Sequence, residues 1–507
     1  MLDLERAAGR PIAHDFAAAD VLIRSTLINT RIGDREAAAR SLREAETASD
    51  RIADRSMREL AHAHVQLATA ATLVSSDAPR AGELLGRAIE TYRSANRTVF
   101  LPECHLLRAR AALFSGDRDA AARDLESGVA LLESSRVPAG AVVGTGVLDA
   151  GRALFEEAIR LSLDRGDVSA AFAYSERSRT QLGADEVVSV GELQKRLGAS
   201  GTAILQLVAL PDALAAICVT SDRVEAKRQA LPRSALESLV SRGDDDEALA
   251  RWYDLAVRPF EAMLANAREI IVIADRSMDG VPFAALYDPA TRRHLVERMA
   301  VARAFSASAL HPSSRATMNA SLLAVALPSG DANAGLPETS AEIAGIAPLY
   351  AHAVTIEPGA ATFGAFAGAA ANANIIHIAG HTQRQPGDAG SALLFARERV
   401  TWSAIAARNL PHAPIVVLAA CETLTLGGGF LAAGATDVIG TLTPIADADA
   451  RELFQAIHRE LAAGATPSVA VQHAQLEALA RHSGAWRAVA SLTRSIPAPP
   501  SATKRRI

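Results

Sequence analysis

Two short apolar runs in this chain end in residues that can do chemistry. Ile375-Ile376-His377-Ile378-Ala379-Gly380-His381 ends in an imidazole, and 40 residues further on Ile415-Val416-Val417-Leu418-Ala419-Ala420-Cys421-Glu422-Thr423 ends its apolar part in a thiol. An imidazole beside a thiol favours the thiolate, the form that attacks a carbonyl carbon. Each run, rich in β-branched and small apolar residues and bounded by turn formers, reads as a strand buried on both faces, as in a parallel sheet covered by helices. Ligands of open α/β sheets bind at the carboxyl ends of the strands. A His and a Cys just past two such ends can therefore come within hydrogen-bond reach.

The elements that would position this pair are legible further upstream. From about residue 200, short apolar runs recur at 203–210, 214–220, 270–274, 321–327, 353–356, 375–379, 415–420 and 437–442, with helix-like stretches between most of them, such as 233–265, 340–349, 361–371, 402–408 and 450–463. Alternating strands and helices imply a largely parallel sheet between helical layers. The first two runs, joined by Pro211-Asp212, look like an antiparallel hairpin at the edge of that sheet.

The first third of the chain differs. Gly33-Asp34-Arg35-Glu36-Ala37-Ala38-Ala39-Arg40 is echoed by Gly116-Asp117-Arg118-Asp119-Ala120-Ala121-Ala122-Arg123 and by Gly166-Asp167-Val168-Ser169-Ala170-Ala171-Phe172-Ala173, with a weaker copy at Asp77. Each copy sets a turn-forming Gly-Asp before a helix, where Asp caps free amides and alanines let neighbouring helices approach. These read as helical hairpins, at intervals longer than the ~34 residues of the tetratricopeptide repeat, in a divergent array of that class or a plain helical bundle. Such an array is a scaffold for a partner peptide or helix. The domains expected are a helical repeat domain over 1–183, a connector over 184–199, an α/β domain over 200–492 and a disordered tail over 493–507.

Composition narrows the function. The 507 residues carry a net charge of −5 with signs interspersed, so no basic field marks a nucleic-acid partner. Three cysteines, Cys104, Cys218 and Cys421, build neither a disulfide framework nor a zinc site, which fits a reducing compartment. The N-terminus has no secretory pattern and no apolar stretch reaches the ~18 residues of a membrane span, so a cytoplasmic protein without membrane insertion is expected. His377 and His381 lack the Glu of His-Glu-x-x-His, and no phosphate loop or Gly-x-Ser-x-Gly elbow occurs. No metal or other cofactor is expected.

Four stretches together resemble the CHAT family, caspase-like cysteine peptidases of clan CD, related to separases and often fused behind tetratricopeptide repeats. They are Ala274 to Leu286, IIHIAGH at 375–381, VVLAACET at 416–423 and FLAAGATDVIGTLTPIADADA at 430–450; AFAYSERSR at 171–179 is similar to the last repeat of such proteins. The resemblance implies a helical repeat solenoid followed by a caspase-like α/β/α sandwich with a mostly parallel sheet. It implies a catalytic dyad of His381 and Cys421, with the oxyanion held by the backbone amides of Cys421 and of the residue after His381. Asp447 matches the last acid of the family's Trp-Pro-Val-Asp-Asp pattern. Asp447 and Asp449 would bind a basic substrate side chain, helix capping being the other role for them. His377 is assigned a supporting place in the sheet, and Glu422 is expected to hold loops beside the thiol.

The pattern is not fully kept. Thr382 stands where Gly usually follows the catalytic His, Leu424 where Gly follows Cys-Glu-Thr, and Thr443 where Trp is usual; the segment Leu424 to Gly429 reads as a shortened loop. The reading is an intracellular cysteine endopeptidase, its protein substrate or activating protein recruited through the helical repeats, in bacterial defence or regulated cell death. The alternative is an inactive caspase-like fold serving as a protein-interaction scaffold.

Overall fold

The computed structural model describes residues 12–134, 145–180, 186–243, 245–313, 320–328, 337–383, 391–396, 398–420 and 423–498. The chain divides into two compact units, Met1–Gly183 and Ala184–Ile507. No helix among the described residues is long and apolar enough to cross a membrane.

The first unit is helical: α1 (Ile12–Ile32), α2 (Arg35–Asp50), α3 (Arg55–Leu73), α4 (Ala78–Ser94), α5 (Leu101–Phe114), α6 (Arg118–Ser134), α7 (Thr145–Asp164) and α8 (Val168–Thr180). The recurring Gly-Asp phrase has one local cause. Gly33, Gly116 and Gly166 take φ of +82°, +81° and +73° at the ends of α1, α5 and α7, a conformation that favours glycine. The next residue reverses the chain and caps the following helix: Asp34, Asp117 and Asp167 each accept from the amide three residues on, at 2.9 Å. Asp77 caps α4 in the same way, at 3.2 Å to the Arg80 amide. Ala38, Ala121 and Ala171 of the repeated phrase are buried, and successive helices pair as hairpins. Between α5 and α6, the buried Asp124 takes His105 Nδ1 at 2.8 Å and Arg108 Nη2 at 2.6 Å.

The second unit is built on an 11-stranded sheet. Its strands are β1 (Thr202–Ala209), β2 (Ala213–Val219), β3 (Val224–Ala230), β4 (Glu269–Ala274), β5 (Ala300–Arg303), β6 (Ser321–Ala326), β7 (His352–Ile356), β8 (Ile375–Ala379), β9 (Ile415–Ala419), β10 (Asp437–Thr441) and β11 (Val489–Thr493). Their order is β7-β6-β8-β9-β10-β11-β5-β4-β1-β2-β3. The five strands from β7 to β10 are mutually parallel, β11 is antiparallel to β10, and β11, β5, β4 and β1 are again parallel to one another. The helices that matter below are α9 (Val190–Leu197), α10 (Arg233–Ser241), α11 (Asp246–Ala256), α12 (Pro337–Ile346), α13 (Phe363–Ala370), α14 (Trp402–Ala406), α15 (Leu424–Ala432), α16 (Asp447–Ala462) and α17 (Pro467–Ala480).

The apolar runs became buried strands because both faces of the sheet are covered. Ile376, Ile378, Val416, Leu418 and Val438 pack against Phe366 of α13 and Phe430 of α15. The alternate residues Ile375, Ala379, Val417, Ala419 and Ile439 pack against Leu453, Phe454 and Ile457 of α16 and Val471 of α17. Each large apolar side chain removed from water contributes about 1.5–3 kcal/mol, so the strands that end at the candidate site form the rigid part of the unit.

Three details depart from the sequence-based reading. The hairpin of β1 and β2 does not close the sheet, because β3 pairs with β2 and forms the edge. Glu225, Lys227 and Arg228 give β3 a polar composition that hides it from an apolar-run criterion and suits an exposed edge. Residues 424–429 are not a loop but the start of α15. Their glycines serve close packing: a Cβ on Gly428 would lie 3.0 Å from Trp402 Nε1, and one on Gly429 2.9 Å from the Trp402 carbonyl oxygen. Residues 493–498 do not belong to a disordered tail, since Ser495–Pro497 pairs with His311–Ser313 and Ile496 is buried. Within the connector, the short helix expected near 191–197 is present as Val190–Leu197, with Val190, Leu193 and Leu197 buried.

The block around Asp275 has a structural task. Asp275 Oδ2 accepts from the Ala209 amide at 2.7 Å, tying the end of β1 to the turn after β4. Arg303, at the end of β5, donates to the Val281 carbonyl at 3.1 Å and lies over the Phe283 ring. Burial pulls its guanidinium down to about 10.

Candidate active site

β8 and β9 lie side by side with a constant offset of 40 residues, from Ile375 opposite Ile415 to Ala379 opposite Ala419. Pairing runs past the strand end: the Gly380 amide donates to the Ala419 carbonyl at 3.1 Å, and the Leu327 amide to the Ala379 carbonyl at 2.8 Å. His381 follows, half-buried. His381 comes two residues after the last strand pair, Ala379 opposite Ala419. Cys421 and Glu422 themselves lie outside the described residues.

The chain on either side of those two residues is anchored. Thr441 Oγ1 donates to the Ala420 carbonyl at 2.6 Å, and the Thr441 amide donates to Thr423 Oγ1 at 3.1 Å. Thr423 Oγ1 in turn reaches the Leu418 carbonyl at 3.2 Å and the Ala420 carbonyl at 3.3 Å. Both threonines are buried. Where β10 passes Thr423 there is room only for a glycine, since a Cβ on Gly440 would lie 2.9 Å from Thr423 Oγ1. Sequence reasoning did not single out Thr423, Gly440 or Thr441. Their signal was present as polar or small residues flanking apolar runs, but it is too common to be specific.

Gly380 has a similar constraint. A Cβ there would lie 2.6 Å from Leu327 Cβ, an atom that cannot rotate away. Gly380→Ala is expected to destabilise the second unit by about 1–3 kcal/mol, the usual cost of overpacking, and to displace His381. Denaturant unfolding checks the first effect. A variant as stable as the parent would show that the β6–β8 contact yields.

The other residues singled out from sequence fall as follows. Thr382 is half-buried and opens a short strand, Thr382–Gln383, in which it pairs with Leu393. Asp447 and Asp449 are exposed in the first turn of α16, with Ala446 at the capping position. Neither acid is therefore the N-cap, although carboxylates in a first turn are favoured by the helix dipole. Asp449 Oδ1 accepts from Ser483 Oγ at 3.0 Å. Because β8, β9 and β10 are parallel, the segment that leads into α16 leaves from the same end of the sheet as His381. His377 is wholly buried in β8 and does not stand alone: His458 of α16 and Glu342 of α12 meet it in the core.

The mostly parallel sheet covered by helices, with His381 just past the end of β8, has the architecture of a caspase-like α/β domain. Residues 246–495 match the family model described as "CHAT domain", and the chain carries a CHAT domain over that span. No curated protein sequence matches the chain. Among solved structures it is similar to the Saccharomyces cerevisiae separase–securin complex. A structure of that complex at 2.6 Å resolution has a TM-score of 0.51 at 11% identity, over 97% of this chain and 48% of the matched chain. A second, at 3.0 Å, has a TM-score of 0.50 at 11% identity, over 94% and 46%. The chain thus spans about half the length of the chains it matches, and at this identity the likeness is one of fold.

Proposed function

We propose that the second unit is a cysteine endopeptidase with His381 and Cys421 as its dyad. The observation that supports this reading is the offset of 40 residues between β8 and β9, which equals the separation of the two reactive residues. The Cys421 thiolate attacks a peptide carbonyl and forms an acyl-enzyme. His381 protonates the leaving amine, then takes a proton from the water that releases the acid. The amides of Cys421 and Thr382 receive the oxyanion, and Glu422 holds the adjoining loop. Asp447, with Asp449 beside it, pairs with an Arg or Lys before the scissile bond. The helical unit recruits a protein substrate or an activating protein in the cytoplasm, as the separase structures are themselves complexes with securin. No cofactor enters the reaction.

A peptide library cleaved by the parent chain but not by Cys421→Ala would establish the activity; cleavage that persists in that variant would rule the dyad out. Asp447→Asn is expected to lower kcat/KM for substrates with Arg before the scissile bond by about 10–100-fold, the worth of a charge-assisted hydrogen bond. Substrates with a neutral residue there should change little. Equal losses on both would remove Asp447 from the binding site.

One observation favours the non-catalytic alternative. Thr382, whose amide the mechanism requires, is engaged in a strand pair with Leu393. Labelling by a thiol-directed acyl electrophile separates the two readings. Burial pushes the thiols of Cys104 and Cys218 up, the latter to about 12, so neither competes. Rapid modification of Cys421 supports the peptidase, and a labelling rate no faster than that of a free cysteine supports the scaffold.

A further inference from the structure

Four polar side chains from three segments meet inside the apolar layer under β8. His377 Nδ1 lies 3.1 Å from His458 Nε2, and His458 Nδ1 lies 2.8 Å from the Tyr350 hydroxyl. On the other side of His377, Nε2 lies 3.1 Å from Glu342 Oε1. The two imidazoles are 0% exposed and Glu342 and Tyr350 5% and 7%, so these contacts are shielded from bulk solvent. The strands that flank β8 offer nothing polar at this level, because His377 is opposite Ala324 on β6 and Val417 on β9. From α16 the Phe454 ring packs against His377. Glu342 on α12 is the charged group facing the two imidazoles, with His458 from α16 and Tyr350 from the turn after α12 completing the set.

The geometry restricts where the protons sit. His377 Nε2 and Glu342 Oε1 are close but not aligned as a hydrogen bond, and neither atom has another hydrogen-bond partner among the described residues. Two neutral groups left so would each cost about 1–3 kcal/mol. Opposite charges attract without alignment, so the contact is favourable when His377 is an imidazolium and Glu342 a carboxylate. His377 Nδ1–H then donates to His458 Nε2, which makes His458 neutral and places its proton on Nδ1, facing the Tyr350 oxygen. The Tyr350 hydroxyl donates to the His458 carbonyl at 3.4 Å. Each proton thus faces an acceptor, the one on His377 Nε2 through charge attraction to Glu342 and not through an aligned hydrogen bond.

We propose that Glu342, His377, His458 and Tyr350 form a proton-holding clamp that positions α16 against β8. The consequence for the site rests on the peptidase reading. α16 carries Asp447 eleven residues before His458, about 16 Å along the helix, and β8 carries His377 four residues before His381, about 13 Å along the strand. The clamp therefore sets the substrate-binding acids relative to the catalytic imidazole, and all four members are positioning residues. Burial, with the charge on His377 adding to it, drives the His458 imidazole well below its ordinary range, in keeping with its neutral place in the chain.

Selective 15N labelling of imidazoles in the full chain at neutral pH reads the tautomers, and His377→Asn and His458→Gln assign the two signals. One ring protonated on both nitrogens, lost in His377→Asn, and one protonated on Nδ1 alone, lost in His458→Gln, are expected. Glu342→Gln should return the first ring to a single proton. Two singly protonated rings, unchanged by Glu342→Gln, would overturn the clamp whether or not the chain cleaves any peptide. Positioning is read by Tyr350→Phe, which is expected to raise KM for an Arg-containing substrate about tenfold, the loss of one buried hydrogen bond, with kcat within twofold and neutral substrates unchanged. Equal effects on both substrates would overturn the positioning role. Failure of the parent chain to cleave anything would instead sink the peptidase reading, and the imidazole spectrum would still decide the clamp.

Discussion

Replacing Cys421 by alanine is expected to remove peptide cleavage by a factor of about 10⁴ or more, and His381→Ala to do nearly as much. The thiol is the atom that forms the acyl-enzyme, so no neighbouring side chain can substitute for it. The imidazole acts twice, first on the leaving amine and then on water. Because the two work as a unit, the double variant should be no slower than Cys421→Ala, whereas independent contributions would multiply. The measurement is kcat/KM on a peptide cleaved by the parent chain. A His381→Ala variant that retains a tenth of the activity would mean that another base serves the thiol. The stability of His381→Ala should change little, since His381 is only half-buried at a strand end.

Glu269 should make the second unit less stable as pH rises through neutrality. It sits at the start of β4 with its side chain in the core, 6% exposed, taking a hydrogen bond from Thr202 Oγ1 at 3.1 Å. Burial pushes its carboxyl up to about 7 from an ordinary 4.5; hydrogen bonds from Ser468 and Thr202 oppose this, and the Asp437 charge adds to it. The folded state therefore binds the proton more tightly than the unfolded chain. The stabilisation is fully present below pH 4.5 and is lost as pH rises through about 7. A shift of that size corresponds to about 3 kcal/mol. Glu269→Gln keeps the shape and removes the titration. The difference in unfolding free energy between parent and variant should thus swing by about 2.5 kcal/mol in favour of the variant between pH 5 and pH 8. A difference that does not vary with pH would mean that Glu269 is ionised at no cost, through partners that solvate it.

Much of the architecture was legible because buried parallel strands must be apolar along their whole length. The eight runs read as strands are all strands of the main sheet. β3, β5 and β11 escaped for separate reasons: the first is polar along an edge, the second has four residues, and the third, Val489–Thr493, alternates apolar residues with Ala and Ser. Glycine misled at α15, where Gly427, Gly428 and Gly429 signalled a loop. Their actual use is to admit Leu492, Trp402 and Phe305 against the helix, a matter of distance between elements.

The sequence by itself determined the reactive residue types, their place after two apolar runs and the Gly-Asp turns of the helical unit, because these depend on local backbone preference and on the period of burial. Only the tertiary structure decided which strands are neighbours and in what register, and hence that the two runs end level, Ala379 opposite Ala419. It also decided that His377 has partners at all. Glu342, Tyr350 and His458 lie up to 116 positions apart in the chain (458 − 342 = 116), and no pattern of spacing connects them. A buried polar group announces that it needs a partner, but the partner is chosen by packing in three dimensions.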